Sequence, residues 1–419
     1  MSLAIPSVNS NVLQQDSDVI GHLLPMDALR LICSFLDNPK DVVHFGLASK
    51  RLNILLSDTQ LWNSLLHKHF PDSYENLKSK EEGFSLYKRL AHIENNIKTG
   101  KYHFQTLNGH RDWINFIKAW GDKLISGSED HTIKIWDFNT GQELQTLTGH
   151  QQAIFSMIIW DGKLISGSEN IKIWDLNTGQ ELLTLNRHRD WITCMTIWDD
   201  KLISGSNDCT IKIWNLDSGQ ELQTLTGHQD AISCIIIEDD KLISGSNDCT
   251  IKIWDLNTGQ ELQSLIGHQA SIGCIMIWND KLISGSDDRI IKVWDLNSGQ
   301  DLQMLNKHQQ QVTNCMAIWN GKLISSSDDQ FKIWDLNTWQ ELRTLNGDQN
   351  GINCITIWND KLISGSLHGI IKIWNLNTGQ ELQTLIGHKN IISDLIILDP
   401  SKFVSCSFDE TIKIWDFSL

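Results

Sequence analysis

The sequence predicts an all-β ring of eight four-stranded sheets, an eight-bladed β-propeller, preceded by a small all-α region. Three observations carry that fold class: a motif that returns eight times, a change of residue grammar near residue 100, and a spare strand-like segment just before the first repeat.

The repeat comes first. Tryptophan followed by Asp or Asn stands at Trp136, Trp174, Trp214, Trp254, Trp294, Trp334, Trp374 and Trp415, a period of 38 to 41 residues. Each copy reads as four short strands, typified by ELQTLTGH, AISCIIIED, KLISGS and TIKIWDLNTG. β-Branched residues dominate these runs; DG, DD or ND supplies the tight turn before the lysine, and NTGQ leads into the next copy. KLISGSNDCTIKIW occurs unchanged at 201–214 and 241–254, which marks it as a building unit. One such sheet cannot bury both faces alone, so copies must stack, and a radial arrangement leaves no long exposed edge.

Closure is legible too. The eighth copy ends just after its Trp-Asp and lacks an outer strand, while KYHFQTL at Lys101–Leu107 is an extra copy of that strand. The two segments are expected to pair, giving eight blades over 101–419.

The first hundred residues read differently. Leu29, Ile32, Phe35 and Leu36 keep the three-and-four spacing of a helical face; Pro25 suits a helix start and Asp41 can cap a following helix. Leu86, Leu90, Ile93 and Ile97 form a second apolar face. The expected divisions are a disordered 1–18, a helical unit at 19–70, a helical linker at 71–100 and the propeller.

The formal net charge of −16 argues against nucleic-acid or anionic-membrane partners, which call for clustered Lys and Arg. The acidity lies in the repeats: residues 1–100 hold 10 basic and 11 acidic side chains, the remainder 25 and 40. No apolar run is long enough to span a bilayer, and the first twenty residues lack a signal peptide's basic start and apolar block. Nine cysteines without a C-x-x-C pair, five of them periodic (Cys194, Cys234, Cys274, Cys315, Cys354), read as small buried residues in a reducing cytoplasmic or nuclear compartment. No metal or cofactor is expected.

Gly-His before the second strand, Ser-x-Asp in a turn and Trp-Asp closing the fourth strand together resemble the WD-repeat family, and the resemblance covers 101–419. A His, a Ser and an Asp in each copy are the parts of an activated nucleophile. The resemblance implies instead a structural relay, carried here by His188, Ser204, Asp208 and Trp214, and by His228, Ser244, Asp248 and Trp254. The second repeat shortens its turn and leaves His150 and Ser166 without that Asp. In the seventh repeat Asp348 stands where the His belongs and His368 where the Asp belongs, so these two are expected within hydrogen-bond reach.

Leu24, Pro25, Leu29, Ile32, Phe35, Leu36, Asp37, Asp41, Val42, Ser49, Lys50, Leu61 and Trp62 together resemble an F-box, and the following helix resembles the linker of F-box/WD-repeat proteins. The resemblance implies a non-catalytic substrate receptor: an F-box that binds a Skp-type adaptor and through it a cullin, and a propeller that holds a protein for ubiquitination. Leu24, Pro25, Leu29, Ile32, Phe35 and Leu36 are the adaptor anchors on this reading; they serve equally as the helical unit's own core. A generic WD-repeat scaffold is the alternative. In a microbe without ubiquitin, the receptor reading would place its action in a host cell.

The family's ligands sit over the central channel, touched by residues five after the Gly-His histidine and by the residue before the turn Asp. Here the first set includes Asn115, Phe155, Thr193, Ser233 and Asn353, and the second Glu129, Asn207, Asn247, Asp287, Asp328, Leu367 and Phe408. No arginine appears among them, so a phosphodegron is not expected and a neutral or basic protein or peptide is. Trp113 and Trp191, three after a histidine, are either aromatic anchors on that face or fillers between blades. At the opposite end Trp120, Trp160, Trp198, Trp278, Trp319 and Trp358 are expected to pack between blades.

Overall fold

The computed structural model describes residues 59–69, 83–305, 312–327, 330–347 and 351–418. The anchors Leu24 to Leu36, together with Asp328 and Asp348, lie outside them.

Eight antiparallel four-stranded sheets follow one another. Their innermost strands touch in sequence order, and β30 (Ile392–Asp399) against β2 (Ile114–Trp120) closes the ring. Seven sheets use four consecutive strands; the eighth takes β1 (His103–Asn108) beside β32 (Thr411–Asp416), with β31 (Lys402–Ser407) and β30 behind. The register sets His103 opposite Asp416 and Leu107 opposite Ile412. Phe104 packs on Trp415 with ring centroids 4.8 Å apart, and the Lys413 ammonium donates to the Thr106 hydroxyl at 2.7 Å. The first and last segments of the propeller are thereby one sheet.

The core lies between blades. Ile203, Ile213 and Leu225 of one sheet form a cluster with Leu242, Trp254 and Leu256 of the next. A strand caught between two sheets is apolar on both faces, which is why KLISGS shows no alternation and is buried from its Leu onward. The outer ELQTL strand, covered on one side only, keeps exposed residues. The glycine of KLISGS makes the close approach: a Cβ at Gly205 would stand 2.7 Å from the Ile232 Cγ2 of the next sheet. The sixth and eighth sheets place Ser326 and Cys406 there, both buried, and the Ser326 hydroxyl donates to the Cys315 carbonyl at 3.0 Å.

Two helices, α1 (Thr59–His69) and α2 (Gly83–Thr99), precede the ring. Leu86, Leu90, Ile93 and Ile97 are buried in one cluster with Leu61 and Trp62 of α1 and with Trp358, Phe403 and Phe417 of the last two blades. Polar bonds fix the angle: Glu94 pairs with Lys361 at 2.6 Å, and the Asn96 amide donates to the Phe417 carbonyl at 2.9 Å. Burial opposes ionisation of Glu94, yet the Lys361 ammonium holds its carboxyl below the usual range.

If β1 closes the ring, Leu107→Ala, which empties a site only 2% exposed, lowers stability by about 2–4 kcal/mol in urea unfolding. A change near zero would mean that β1 is a detachable extension.

Candidate functional site

The loops at the Gly-His end are held by a repeated side-chain chain. In the third blade Trp214 Nε1 donates to Ser204 Oγ at 2.8 Å, Ser204 Oγ lies 2.8 Å from His188 Nε2, and His188 Nδ1 lies 2.8 Å from Asp208. Because an ionised Asp only accepts, the imidazole carries its proton on Nδ1 and the Ser hydroxyl donates to Nε2. His228, Ser244, Asp248 and Trp254 repeat this geometry in the fourth blade. The Asp does more: Asp208 also accepts from the Arg189 amide and from the Thr210 amide and hydroxyl.

The same three groups in a hydrolase would leave the hydroxyl open to substrate. Here Ser204 and Ser244 are fully buried and already accept from a tryptophan, so the arrangement braces the loop and presents no nucleophile.

The second blade departs from the pattern. Ser166 keeps both bonds, to His150 at 2.7 Å and from Trp174 at 2.8 Å. Glu169 takes over the backbone cap from Gln151 at 3.1 Å, but its other oxygen stops 3.9 Å from His150 Nδ1, which is left buried without a hydrogen-bond partner. The expected Asp348–His368 contact falls outside the described residues; there the Trp374 Nε1 bond to Ser364 is longer, at 3.3 Å.

Around the channel mouth the rim is polarised. Trp113 stacks on Phe408 of the eighth blade (4.6 Å, 3° between planes), and Phe155 stacks on Trp191 of the third (4.8 Å, 28°). Trp113 and Trp191 remain 47% and 43% exposed, so they bridge blades and face solvent together. Glu129 sits beside them, accepting from the Asn115 amide at 2.9 Å. Round the rest of the rim stand half-buried Asn207 and exposed Asn247, Asp287 and Leu367.

Residues 101–137, 179–215, 219–255, 259–295, 339–375 and 379–416 match the family described as WD domain, G-beta repeat, and 22–68 match the F-box-like family. The chain belongs to the F-box/WD-repeat proteins. The repeats outside the matched segments, the second and sixth, shorten the interval from the bonded Ser to the Trp to eight and nine residues, against ten elsewhere. Nuclear distribution protein PAC1 of Candida glabrata is 56% identical over 36 residues, which span 9% of this chain and 8% of that protein. The crystal structure of the computationally designed Ika8 protein superposes with a TM-score of 0.69 at 35% identity, covering 74% of this chain and 98% of that one.

Two devices of this F-box/WD-repeat chain were not read from its sequence. The residue at this position, five after the histidine or its replacement, ties five of the blades to the next: Asn115 donates to the Ile154 carbonyl at 3.1 Å, Asn353 to the Ile392 carbonyl at 2.9 Å, and the hydroxyls of Thr193, Ser233 and Ser393 to the carbonyls of Ile232, Ile272 and Ile114. These side chains, expected to face a ligand, have their donors turned onto the neighbouring backbone. Phe155 replaces the bond with its stack on Trp191, and Gly273 has no side chain to offer. The signal was present as recurring small donors at one repeat position. The second device is an ion pair across the outer strands, Lys134 to Glu143, Lys172 to Glu181 and Lys252 to Glu261, each near 2.9 Å.

Of the periodic cysteines Cys315 and Cys354 are buried as expected, whereas Cys194, Cys234 and Cys274 are only partly so. Burial pushes Cys194 up to about 12 and Cys234 to about 11. Among the described residues no group of three His, Cys, Asp or Glu side chains could hold a metal.

Burial disfavours the charged form of four of the relay histidines. Burial drives His150 down to about 4, only partly opposed by Glu169, and lowers His228, His268 and His388 despite their aspartates. Asp248 is lowered as well, for a different reason: burial opposes its ionisation, but the Thr250 hydroxyl, the Gln229 amide and His228 bring it to about 2. A histidine depressed in the folded state contributes stability that is complete above its unfolded value near 6.5 and is lost as pH falls from there to the folded value; His150 alone costs about 2 kcal/mol at about pH 5. Urea midpoints are therefore expected to fall between about pH 7 and pH 5, before Asp248 protonates, and a flat profile would mean that these imidazoles are charged in the fold.

Proposed function

We propose that this protein is the substrate-recognition subunit of a Skp/cullin/F-box ubiquitin ligase and not itself an enzyme. The F-box-like segment would engage a Skp-type adaptor, and through it a cullin, while the propeller rim holds a target protein. One observation carries the reading: α2, which follows the F-box-like segment, is locked into the last two blades by a shared apolar cluster and by the Glu94–Lys361 pair. A receptor needs such stiffness. Catalysis resides in its partners, and the receptor contributes the effective concentration of target lysines near them, which a loose tether would dilute.

The rim supports the class of target. Trp113, Phe408, Phe155 and Trp191 give four consecutive blades (eighth, first, second and third) an aromatic sector, with Glu129 beside it and Asp287 across the channel. Aromatic anchors flanked by carboxylates suit a neutral or basic peptide segment better than a phosphorylated one. Arg111 and Arg189 neighbour the two tryptophans in sequence but lie outside the rim positions that line the channel. This reading places the protein's work in the cytoplasm or nucleus.

Two measurements test it. The full chain is expected to co-purify with a Skp-type adaptor and to lose it on Leu24→Ala with Pro25→Ala, while thermal unfolding of the propeller is unchanged. Retention of the adaptor by the double variant, or no adaptor with the wild type, would leave a WD-repeat scaffold. In titration an unmodified target peptide is expected to bind at least as tightly as its phosphorylated form.

A further inference from the structure

Six inner strands end in a tryptophan at the end of the ring that carries α2: Trp120, Trp160, Trp198, Trp278, Trp319 and Trp358. Each ring fills the same space against the following sheet. Trp198 packs against the cluster that holds Ile203 of its own sheet and Leu256 of the next, with the Lys201 ammonium 4.1 Å from its ring centroid. Lys123, Lys163 and Lys322 stand over Trp120, Trp160 and Trp319 in the same way, at 5.0, 5.2 and 4.8 Å. The eighth sheet fills the position with Leu398, packed against the first.

The fourth sheet does not fill it. Glu238 replaces the tryptophan and is exposed. Between the fourth and fifth sheets there is instead a solvent-open cavity of about 50 Å³, lined by Glu238, Asp239, Lys241, Ile243, Asp280 and Leu296. Ile243 and Leu296 occupy the repeat positions of Ile203 and Leu256; Ile243 stays fully buried while Leu296 is 8% exposed against 2% for Leu256, so the cleft opens onto the leucine edge of the floor on which an indole rests elsewhere. Lys241 occupies the position of Lys201.

We propose that this cleft takes an aromatic side chain from a protein partner, on a segment that carries a basic residue beside the ring. The ring would lie half in the cleft, as Trp120, Trp160, Trp198 and Trp278 lie half-buried at theirs. Floor and Lys241 give the ring a face and a cation above it; the carboxylates of Glu238, Asp239 and Asp280 line the opening and fix the sign of the flanking charge. The site is separate from the channel rim on the Gly-His end, so it stands or falls independently of what that rim binds. A partner held here would sit on the end of the propeller that bears the helices.

Tryptamine, an indole with an ammonium group, is the probe, read by saturation-transfer NMR on the full-length protein. Its indole protons are expected to receive saturation from the wild type and to lose it about five-fold or more in Glu238→Trp, which seats its own ring on the same floor. Glu238→Lys, which keeps the space open and reverses the charge, is expected to weaken the signal comparably, and provides the answer should Glu238→Trp fail to fold. Indole-3-acetate, the same ring with a carboxylate, is expected to give the weaker transfer on the wild type. Equal transfer to the wild type and both variants, or transfer to indole-3-acetate matching tryptamine, would overturn the proposal.

Discussion

A strand that is apolar on both faces cannot end a structure, and everything in this protein follows from that. KLISGS is buried from Leu to Ser in sheet after sheet because each copy lies between two neighbours. A row of such sheets would leave one apolar face bare at each end. The ring removes both ends, and it is completed only because β1 supplies the strand that the eighth sheet lacks.

Given closure, the repeated polar residues acquire a plain role. The Trp–Ser–His–Asp chain, the small donors that reach the next blade's carbonyl and the Lys–Glu pairs on the outer strands tie loops to sheets, sheet to sheet and strand to strand. Buried polar groups of this kind stabilise only when satisfied. The second blade shows the tolerance: two residues missing from its turn leave His150 Nδ1 without an acceptor, yet Ser166 holds both its other partners and the sheet keeps its register. What differs between copies, the aromatic sector of the rim and the vacant indole position beside Glu238, is where recognition is proposed.

Most of the architecture was legible in the sequence because a closed repeat is over-determined: one Trp-Asp period fixes sheet count, strand order and the need for KYHFQTL to come round. The helical face of α2 was legible from Leu86, Leu90, Ile93 and Ile97, but not what it packs against, since nothing in its spacing names Trp358 or Phe417. The site was read less well. Asn115, Thr193, Ser233 and Asn353 look like ligand-facing polar residues in a linear string, and only the pitch between blades shows a neighbouring carbonyl within their reach. The stacking of Trp113 on Phe408 joins residues almost three hundred positions apart and follows from closure alone. Glu238 is visible as a break in the tryptophan pattern; that the break leaves a cleft depends on the neighbouring turn not collapsing into it.

The receptor reading requires that ring and helices move as one body, with β1 and α2 as integral as the central strands. Amide hydrogen exchange of the full-length protein tests this most directly, because local opening of a weakly attached element shows as fast exchange whatever the global stability. Amides of β1 and α2 should exchange only as slowly as those of β31, through the same cooperative opening. Exchange of β1 or α2 on the timescale of the exposed turns, with β31 still protected, would contradict a closed ring rigidly joined to its helices.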